Sequence, residues 1–457
     1  MPRVSVRADG GGERQGMGRT IVVIDKLVLG GKGFGRLGDG MVVLVEGALA
    51  GERVAVRLGK QRRGYREAEL LEVLEPSPAR VSPPCPHYGR CGGCDFQHLA
   101  AEQQAAAKAA MFVEHLARQG EAGVAISGAV VLEPVPAPEF FYYRQRIRLQ
   151  VVNGRLGFRQ ARSHRLEPVG SCQLAHPAIN GALDRLVASP AMGRLLGQSR
   201  ELELLASPAD QDVVLLLHFG RKPRAADRQA AEAVVAEAGV RGLLLQVEGQ
   251  GVVGPFGGTG DEMLRRFVLP GMGAAGRDLC LAVEPGGFSQ VNPAQNVNLI
   301  REMLALLAHQ RPGRVLDCHC GVGNFSLPLA VAAGEVVGCD VQGAAIRGAR
   351  RNAAGNSIAN CRFEKRPALD FVSQLVAGGE TFDTVLLDPP RQGCADIVPL
   401  LPRLRAERMV YISCDPATLV RDLGGLGGHG YAVRSLRVVD MFPQTRHLEV
   451  ITLLERR

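Results

Sequence analysis

Beyond residue 310 the sequence alternates short apolar runs with glycine turns and segments of helical length. The apolar runs are RVLDC, EVVGCD, CRFEK, TFDTVLLD and RMVYISC. The intervals between them can hold the crossover helices that parallel strands require. The pattern therefore predicts a mostly parallel α/β sheet. Two final runs, YAVRSLRVVDMF and HLEVITLLER, are joined by a short connection and predict an antiparallel hairpin at the sheet edge.

With 457 residues, the chain is too long for a single core and is expected to form several domains. Short apolar stretches and glycine turns over residues 18–76 predict a small antiparallel β-barrel. Residues 77–285 mix strand-like runs, among them residues 140–152, with helix-like runs at residues 178–196 and 223–238, and they predict an α+β domain. An alanine-rich helix at about 96–119 belongs to this region and is a candidate to pack on the last domain, residues 286–457. The charged, glycine-rich residues 1–17 predict a disordered leader.

The net charge is +8, and most of the positive charge is arginine. Because guanidinium groups bind phosphate bidentately and stack on bases, nucleic acid is the leading partner class. No apolar run approaches the roughly 18 residues that span a bilayer, and the start has no apolar signal-peptide centre. The sequence predicts a cytoplasmic protein with no membrane contact and no evident obligate protein partner.

Three closely spaced cysteines, Cys85, Cys91 and Cys94, form a C-x5-C-x2-C pattern. Thiols this close predict a metal site with a fourth ligand, for which Cys172 is the best candidate. Zinc, with His87 as another possible ligand, and a four-cysteine iron-sulfur cluster use the same ligand chemistry. Spacing alone leaves both metals open, and also a cysteine cluster that binds no metal.

A glycine-containing loop, DCHCGVGN at residues 317–324, follows the first strand of the parallel sheet. Its glycines allow a ligand to approach the backbone at a helix start. The third glycine of the NAD fingerprint is replaced by Ser326, and Asp317 precedes the glycines. We therefore favour S-adenosylmethionine over NAD, with Asp317 suited to its ammonium group and Asp340 to its ribose hydroxyls. The LDPPRQG loop brings Asp388 to the same edge, although similar loops serve amine methyltransferases.

Cys414 ends the apolar run MVYISC and precedes the helix start DPATL. A thiol at the carboxyl end of such a strand is either a core residue or a nucleophile, because ligands bind at this edge of open α/β sheets. The terminal amides of the following helix could hold it as a thiolate.

Five motifs together resemble the bacterial RNA uracil-C5 methyltransferases: CPHYGRCGGC, FSQVNP, LDPPRQG, YISCDPATL and FPQTRHLE. The resemblance implies a TRAM-like barrel, an α+β domain with an iron-sulfur cluster and a Rossmann-like class I methyltransferase sheet. It implies a [4Fe-4S] cluster on Cys85, Cys91, Cys94 and Cys172, and S-adenosylmethionine contacts at Gln290, His319, Asn324, Asp340 and Asp388. The layout is closest to family members that act on 23S rRNA, which is therefore the expected partner.

The same resemblance gives two residues catalytic roles. Carbon 5 of uracil is a poor nucleophile, so Cys414 is expected to add to carbon 6, and Glu449 to remove the carbon-5 proton after methyl transfer. A salt bridge to a nearby arginine such as Arg446 is the structural alternative for Glu449. The usual family motif FPHTGHLE differs here at Gln444 and Arg446.

Two groups of basic residues are candidates to contact RNA. Arg144, Arg146 and Arg148 alternate along one predicted strand, so they would share a face. The barrel contributes Arg53, Arg57, Lys60, Arg62, Arg63 and Arg66. Three alternative functions remain: uracil-C5 methylation of tRNA or of another rRNA site, exocyclic-amine methylation of RNA, and RNA binding by a non-catalytic iron-sulfur protein.

Overall fold

The computed structural model describes residues 18–118, 128–308 and 311–457. The predicted leader at residues 1–17 and the predicted end of the alanine-rich helix lie outside these residues. The chain divides into two compact units, and the division falls between Arg80 and Val81. No helix in the described ranges is both long and apolar enough to cross a membrane.

The first unit contains a closed five-stranded barrel with the strand order β1-β2-β3-β5-β4. The barrel was predicted, but not all of its strands are antiparallel, because β3 and β5 pair in parallel. Alternate apolar side chains such as Ile24, Val43 and Val54 fill its interior. At Gly35 a Cβ atom would lie 2.4 Å from the carbonyl oxygen of Val23, so this close strand contact requires glycine. The strands are β1 Arg19–Val28, β2 Lys32–Arg36, β3 Val42–Val45, β4 Arg53–Arg62 and β5 Tyr65–Glu75.

A seven-stranded mixed sheet lies in the second unit, with the order β13-β12-β11-β10-β7-β8-β9. Its helices pack an apolar face on the sheet around Leu149, Leu183 and Leu215. The strands are β7 Arg146–Val152, β8 Arg155–Arg159, β9 Leu166–Pro168, β10 Ser199–Ser207, β11 Asp212–Phe219, β12 Gly242–Val247 and β13 Gly251–Phe256. The helices are α2 Pro177–Ala188, α3 Pro190–Leu196 and α4 Ala225–Ala238.

Two local predictions in this region were wrong. The helix expected at residues 178–196 is split at Ser189, whose side chain accepts a hydrogen bond from the Met192 amide, because Pro190 cannot continue the first helix. The strand expected from residue 140 begins only at Arg146, and Arg144 precedes it in an isolated bridge to Ala175.

The second large sheet has eight strands in the order β18-β17-β16-β19-β20-β22-β21-β6. Strands β16 to β20 are parallel, as predicted. The strands are β6 Val130–Val135, β16 Arg314–Cys318, β17 Glu335–Asp340, β18 Cys361–Lys365, β19 Thr384–Leu387, β20 Arg408–Ser413, β21 Tyr431–Val439 and β22 Glu449–Arg456. The hairpin β21–β22 is antiparallel but does not form the edge, because β6, which is distant in sequence, pairs with β21.

Helices separate the parallel strands, and a two-stranded hairpin packs beside them. The helices are α5 Pro293–Leu307, α6 Ser326–Ala332, α7 Gly343–Gly355, α8 Ala368–Ala377 and α9 Pro416–Gly428, and the hairpin strands are β14 Arg265–Leu269 and β15 Leu279–Val283. The alanine-rich helix is α1 Ala101–Ala117, and it lies against β21 and β6. It begins later than predicted because Gln104 donates to the carbonyl oxygens of Phe96 and Leu99, which remain outside the helix.

Candidate active site

Four of the five predicted cofactor residues line one cavity at the carboxyl edge of the parallel strands: Gln290, His319, Asn324 and Asp388. The hairpin β14–β15 supplies apolar walls, and Phe288 lies at the cavity with an exposed fraction of 61%. Ligands of open α/β sheets bind at this edge. An aromatic ring, aliphatic walls and a few polar groups together suit an amphipathic ligand.

The fifth residue, Asp340, ends β17 and is not among the residues that line this cavity. Its Oδ2 atom accepts a hydrogen bond from the Gly321 amide at 3.1 Å, and its Oδ1 atom accepts one from Gln342 at 2.7 Å. Asp340 therefore holds the glycine loop against the next strand. His319 occupies the left-handed region in that loop with φ of 70°, and burial lowers its pKa, so its ring is neutral near pH 7.

Asp317 lies beneath the glycine loop and not at the cavity wall, so the structure does not bear out the expectation that it faces an ammonium group. The side chain is fully buried, and its Oδ2 atom accepts a hydrogen bond from Ser326 Oγ at 2.5 Å. No described group hydrogen bonds to Oδ1. Burial raises the pKa of Asp317 to about 8, and Asp388 and Asp340 act in the same direction.

Asn296 is a cavity residue that the sequence analysis missed. Its side-chain amide and that of Asn324 exchange two hydrogen bonds, of 2.8 and 2.9 Å. The signal was present in the motif FSQVNP, because Asn292 caps α5 and Pro293 begins it, which brings the first turn of the helix to the cavity.

Cys414 follows β20 directly and is half-buried. Asp415 caps α9 by accepting a hydrogen bond from the Thr418 amide at 2.9 Å. The antiparallel register pairs Ser413 with Val450, so Cys414 and Glu449 are the next opposed positions on β20 and β22. Two residues 35 positions apart in sequence thus meet at one end of the sheet.

The expected thiolate at the helix start is not favoured in the free protein. Burial raises the pKa of Cys414 to about 11, and the nearby Glu449 and Asp388 add to the increase. The positive charge of Arg391 acts in the opposite direction but is smaller than the burial effect. The Cys414 thiol therefore keeps its proton at neutral pH in the free protein.

Glu449 is 4% exposed, and burial raises its pKa well above the usual value, with a further contribution from Asp388. The alternative role as a salt-bridge partner of Arg446 is wrong, because Arg446 interacts with Asp95, to which it donates its backbone amide at 3.1 Å. Burial also raises the pKa of Asp388 to about 7. Asp388 lines the cofactor cavity and influences both Cys414 and Glu449, so it connects the two parts of the site.

A buried network holds the LDPPRQG loop beside α9. Asp422 accepts hydrogen bonds from the Tyr411 hydroxyl at 2.7 Å and from the Cys394 amide at 2.8 Å. Thr418 Oγ1 donates to the carbonyl oxygen of Arg391 at 3.1 Å. A Cβ atom at Gly393, where φ is 74°, would lie 2.4 Å from Asp422, so the loop needs glycine there.

The four cysteines predicted to bind metal lie in one region. The pKa of Cys91 is raised by burial and then by Cys172 and Cys85, and the pKa of Cys94 is raised to about 12 by burial, with Cys172 and Cys91 contributing. In the described ranges, however, no three or more His, Cys, Asp or Glu side chains have the arrangement of a metal site. His87, the alternative zinc ligand, already has a carboxylate partner, because its Nδ1 atom lies 2.9 Å from Glu167 Oε1.

The predicted RNA-contacting arginines are partly neutralised by carboxylates. Arg146 and Arg148 both pair with Glu203 on the neighbouring strand β10. In the barrel, Arg53 pairs with Glu75, and Arg57 with Glu69. The end of β4 and the turn after it differ, because Lys60, Arg62 and Arg63 are exposed and have no carboxylate partner within the described part of the barrel.

Comparison with known proteins gives two family matches. Residues 155–457 match the model of the tRNA (Uracil-5-)-methyltransferase family, and residues 3–71 match the TRAM domain. The barrel described above lies largely within the second match.

Curated relatives cover nearly the whole chain. The 23S rRNA (uracil(1939)-C(5))-methyltransferase RlmD of Aeromonas salmonicida is 37% identical, with 93% of each chain covered. The Pseudomonas putida protein of the same name is 38% identical over 94% of this chain and 92% of the relative. Among solved structures, the Pyrococcus abyssi tRNA (uracil-54, C5)-methyltransferase in complex with S-adenosyl-L-homocysteine has a TM-score of 0.72 and 25% identity, and covers 95% of this chain and 100% of that one.

The family resemblance inferred from the five motifs is therefore confirmed. A family match that spans two thirds of the chain, relatives above 35% identity over its length, and a parallel sheet with the cofactor cavity at its carboxyl edge agree with one another. The chain belongs to the tRNA (uracil-5-)-methyltransferase family and carries an N-terminal TRAM domain.

Proposed function

We propose that the protein methylates carbon 5 of a uracil in 23S rRNA, with S-adenosylmethionine as the methyl donor. The observation that carries the proposal is the meeting of Cys414 and Glu449 at the ends of β20 and β22, beside Asp388 of the cofactor cavity. A nucleophile, a buried carboxyl group and a neighbouring cavity with apolar walls and a few polar groups are the three parts that such a reaction needs.

In the proposed reaction the Cys414 thiolate forms a bond to carbon 6, and the electron pair of the C5–C6 double bond moves to give an enolate. A sulfonium cofactor held by the cavity would supply the methyl group to carbon 5, with the methyl–sulfur bond breaking and its electron pair remaining on sulfur as the neutral thioether leaves. Glu449 removes the remaining proton from carbon 5. The electrons of that C–H bond restore the double bond as the S–C6 bond breaks, and Cys414 leaves as a thiolate.

The raised pKa values show what must change before this reaction can start. Burial disfavours the charged forms of Glu449 and Cys414 in the free protein, so both groups lose their protons less readily than they would in water. A cationic ligand in the cavity beside Asp388 would favour ionisation of the nearby acidic groups. Cofactor binding would therefore prepare the site for proton transfer.

The choice of 23S rRNA rests on the relatives. Those from Aeromonas salmonicida and Pseudomonas putida, at 37% and 38% identity, carry this substrate in their names, whereas the 25% identical Pyrococcus abyssi protein is named for tRNA. Methylation of tRNA is the second candidate on that ground.

Cys85, Cys91, Cys94 and Cys172 would hold a [4Fe-4S] cluster. Their chemistry fits, because burial and mutual repulsion raise the pKa values of Cys91 and Cys94, and a bound cation would relieve that repulsion. The cluster would tie the segment of Cys172 to that of the other three ligands. Freshly purified anaerobic protein should contain about four irons per chain, and Cys172→Ser should lose them while Cys280→Ser, at an exposed cysteine, retains them. Zinc without iron would contradict this assignment.

The catalytic roles are tested with two variants and labelled 23S rRNA. Cys414→Ala should bind RNA but neither methylate it nor form a covalent adduct. Glu449→Gln should attack and transfer the methyl group, then accumulate as a protein–RNA adduct on denaturing gels, because no base removes the carbon-5 proton. Cys280→Ala and Glu455→Gln, which change an exposed thiol and an outer carboxylate of β22, are the matched controls.

Mass spectrometry of the modified nucleoside separates the competing functions. Methyl on carbon 5 of uracil supports the proposal, and methyl on an exocyclic amine contradicts it. Modification of tRNA in preference to 23S rRNA would instead support the second candidate, in which tRNA is the substrate. Normal turnover by Glu449→Gln, or methylation by Cys414→Ala, would refute the division of roles.

A further inference from the structure

The segment that leads into Glu449 is unusually well buried for a connection between two strands. We call residues 440–448, between β21 and β22, the base loop. Asp440, Met441, Gln444, Thr445 and Leu448 are each at most 2% exposed. Loops usually run over the surface, because their backbone polar groups need partners. This loop must therefore receive its partners from the protein around it.

Gln104 of α1 and Gln444 of the base loop form a two-way amide contact. Gln104 Nε2 donates to Gln444 Oε1 at 2.9 Å, and the Gln444 backbone amide donates to Gln104 Oε1 at 2.6 Å. Gln104 Nε2 also contacts the carbonyl oxygens of Phe96 and Leu99. Both ends of one fully buried side chain are thus engaged, across 340 positions of sequence.

Gln444 has a backbone conformation that needs such support. Its φ is 67°, in the left-handed region that costs a residue with a side chain about 1–2 kcal/mol. Its carbonyl oxygen accepts two further hydrogen bonds, from the amides of Asp95 and Phe96, each of 2.9 Å. A strained residue persists where its surroundings determine its conformation, and such positions are concentrated at active sites.

Other contacts hold the same loop from different sides. Lys108 Nζ donates to Asp440 Oδ1 at 2.6 Å and to the Phe442 carbonyl oxygen at 2.9 Å. The Tyr143 hydroxyl donates to the Pro443 carbonyl oxygen at 3.0 Å. Each of these donors precedes the parallel sheet in sequence, so the base loop is held by α1 and by segments that flank α1 in the chain.

Glu449 itself lacks such direct support. No described group hydrogen bonds to its carboxyl oxygens, and its backbone is the first of β22 after the base loop. Val439 pairs with its backbone in the β21–β22 ladder, and the base loop enters directly on its other side, so a shift of the loop would move the carboxyl group. A displacement of about 1 Å at a reacting group can cost about a hundredfold in rate.

We propose that Gln104 and Gln444 are positioning residues, which hold the base loop so that Glu449 reaches the carbon-5 proton of the methylated adduct. This inference rests on the proposed role of Glu449. Neither glutamine contacts the reacting atoms, so their effect should appear in proton removal and product release. Nucleophilic attack and methyl transfer, which depend on β20 and the cofactor cavity, should change little.

The test is a single-turnover experiment that follows methyl transfer and adduct decay separately. Gln104→Met keeps the side-chain volume but removes the amide contacts, and it should slow adduct decay by about ten- to a hundredfold while methyl transfer stays within about threefold. Gln103→Ala, at the exposed neighbouring position of α1, is the control and should behave like the wild type. Labelled RNA on denaturing gels measures the adduct, and labelled methyl groups measure the transfer.

Gln444→Gly covers the case in which Gln104→Met does not fold. Glycine adopts the left-handed conformation without strain and keeps the backbone hydrogen bonds, so this variant should fold and give a looser loop. It should slow adduct decay by about tenfold. Equal losses in both steps, or unchanged decay in a folded variant, would overturn the positioning role.

Glu449→Gln is measured in the same series to separate the catalytic role of Glu449 from the positioning role of the two glutamines. If Glu449→Gln accumulates the adduct and the two glutamine variants do not, only the positioning role fails. If Glu449→Gln accumulates no adduct, the proposed function of Glu449 fails first, and the positioning role falls with it.

Discussion

Replacement of Lys108 by methionine should destabilise the second unit strongly. Lys108 and Asp440 form an ion pair of 2.6 Å in which the two side chains are 0% and 1% exposed. Burial disfavours both charges, lowering the pKa of Lys108 and raising that of Asp440, while each partner opposes the shift of the other. Lys108→Met leaves a buried carboxylate whose Oδ2 atom already has no described hydrogen-bond partner.

The expected loss is about 3–5 kcal/mol in the free energy of unfolding near pH 8. The loss should shrink as pH falls. Without Lys108 the pKa of folded Asp440 rises further above its unfolded value of about 3.9, so the folded state takes up a proton that the unfolded state releases. Each pH unit can restore up to about 1.4 kcal/mol.

A double-mutant cycle separates the cost of the unpaired charge from the value of the pair. Lys108→Met with Asp440→Asn should recover most of the loss, since replacing both charges of a buried pair is often close to neutral. Arg434→Met removes an exposed ion pair with Glu455 and should cost at most about 1 kcal/mol.

Urea unfolding followed by far-UV circular dichroism is a suitable assay, because the chain has no tryptophan. The reasoning is refuted if Lys108→Met costs no more than the exposed control near pH 8. It is also refuted if the double variant is no more stable than Lys108→Met, or if the loss grows as pH falls.

Three further results are expected. Burial raises the pKa of Asp388 to about 7, so S-adenosylmethionine should bind more tightly as pH rises towards 7, and its binding should release protons near pH 6. Calorimetry in buffers of different ionisation enthalpy measures both effects, and Asp388→Asn should abolish them. Asp317 has a pKa of about 8, so it takes up a proton on folding above about pH 4, and the wild type loses stability as pH rises to 8. In thermal melts over that range, the melting temperature of Asp317→Asn should rise relative to that of the wild type. Replacing Lys60, Arg62 and Arg63 by alanine should reduce the salt dependence of RNA binding by a slope of about 2, measured by filter binding.

Local sequence determined much of the last domain. Apolar runs separated by glycine turns predicted strands β16 to β20, and Asp415 followed by Pro416 correctly indicated a helix start after Cys414. Such signals are readable because caps, prolines and strand periodicity act within a few residues. The family resemblance implied five cofactor contacts, and four of those residues line the cavity at the edge of this sheet.

Contacts between distant segments decided the rest. Strand β6 at the edge of the sheet, Gln104 beside Gln444 and Glu203 beside two arginines join positions that no local pattern connects. The protonation of Cys414 depends likewise on burial and on carboxyl groups from other strands, which outweigh the helix start next to it. A sequence pattern specifies elements and their reactive side chains, whereas desolvation and long-range hydrogen bonds exist only once the chain has packed.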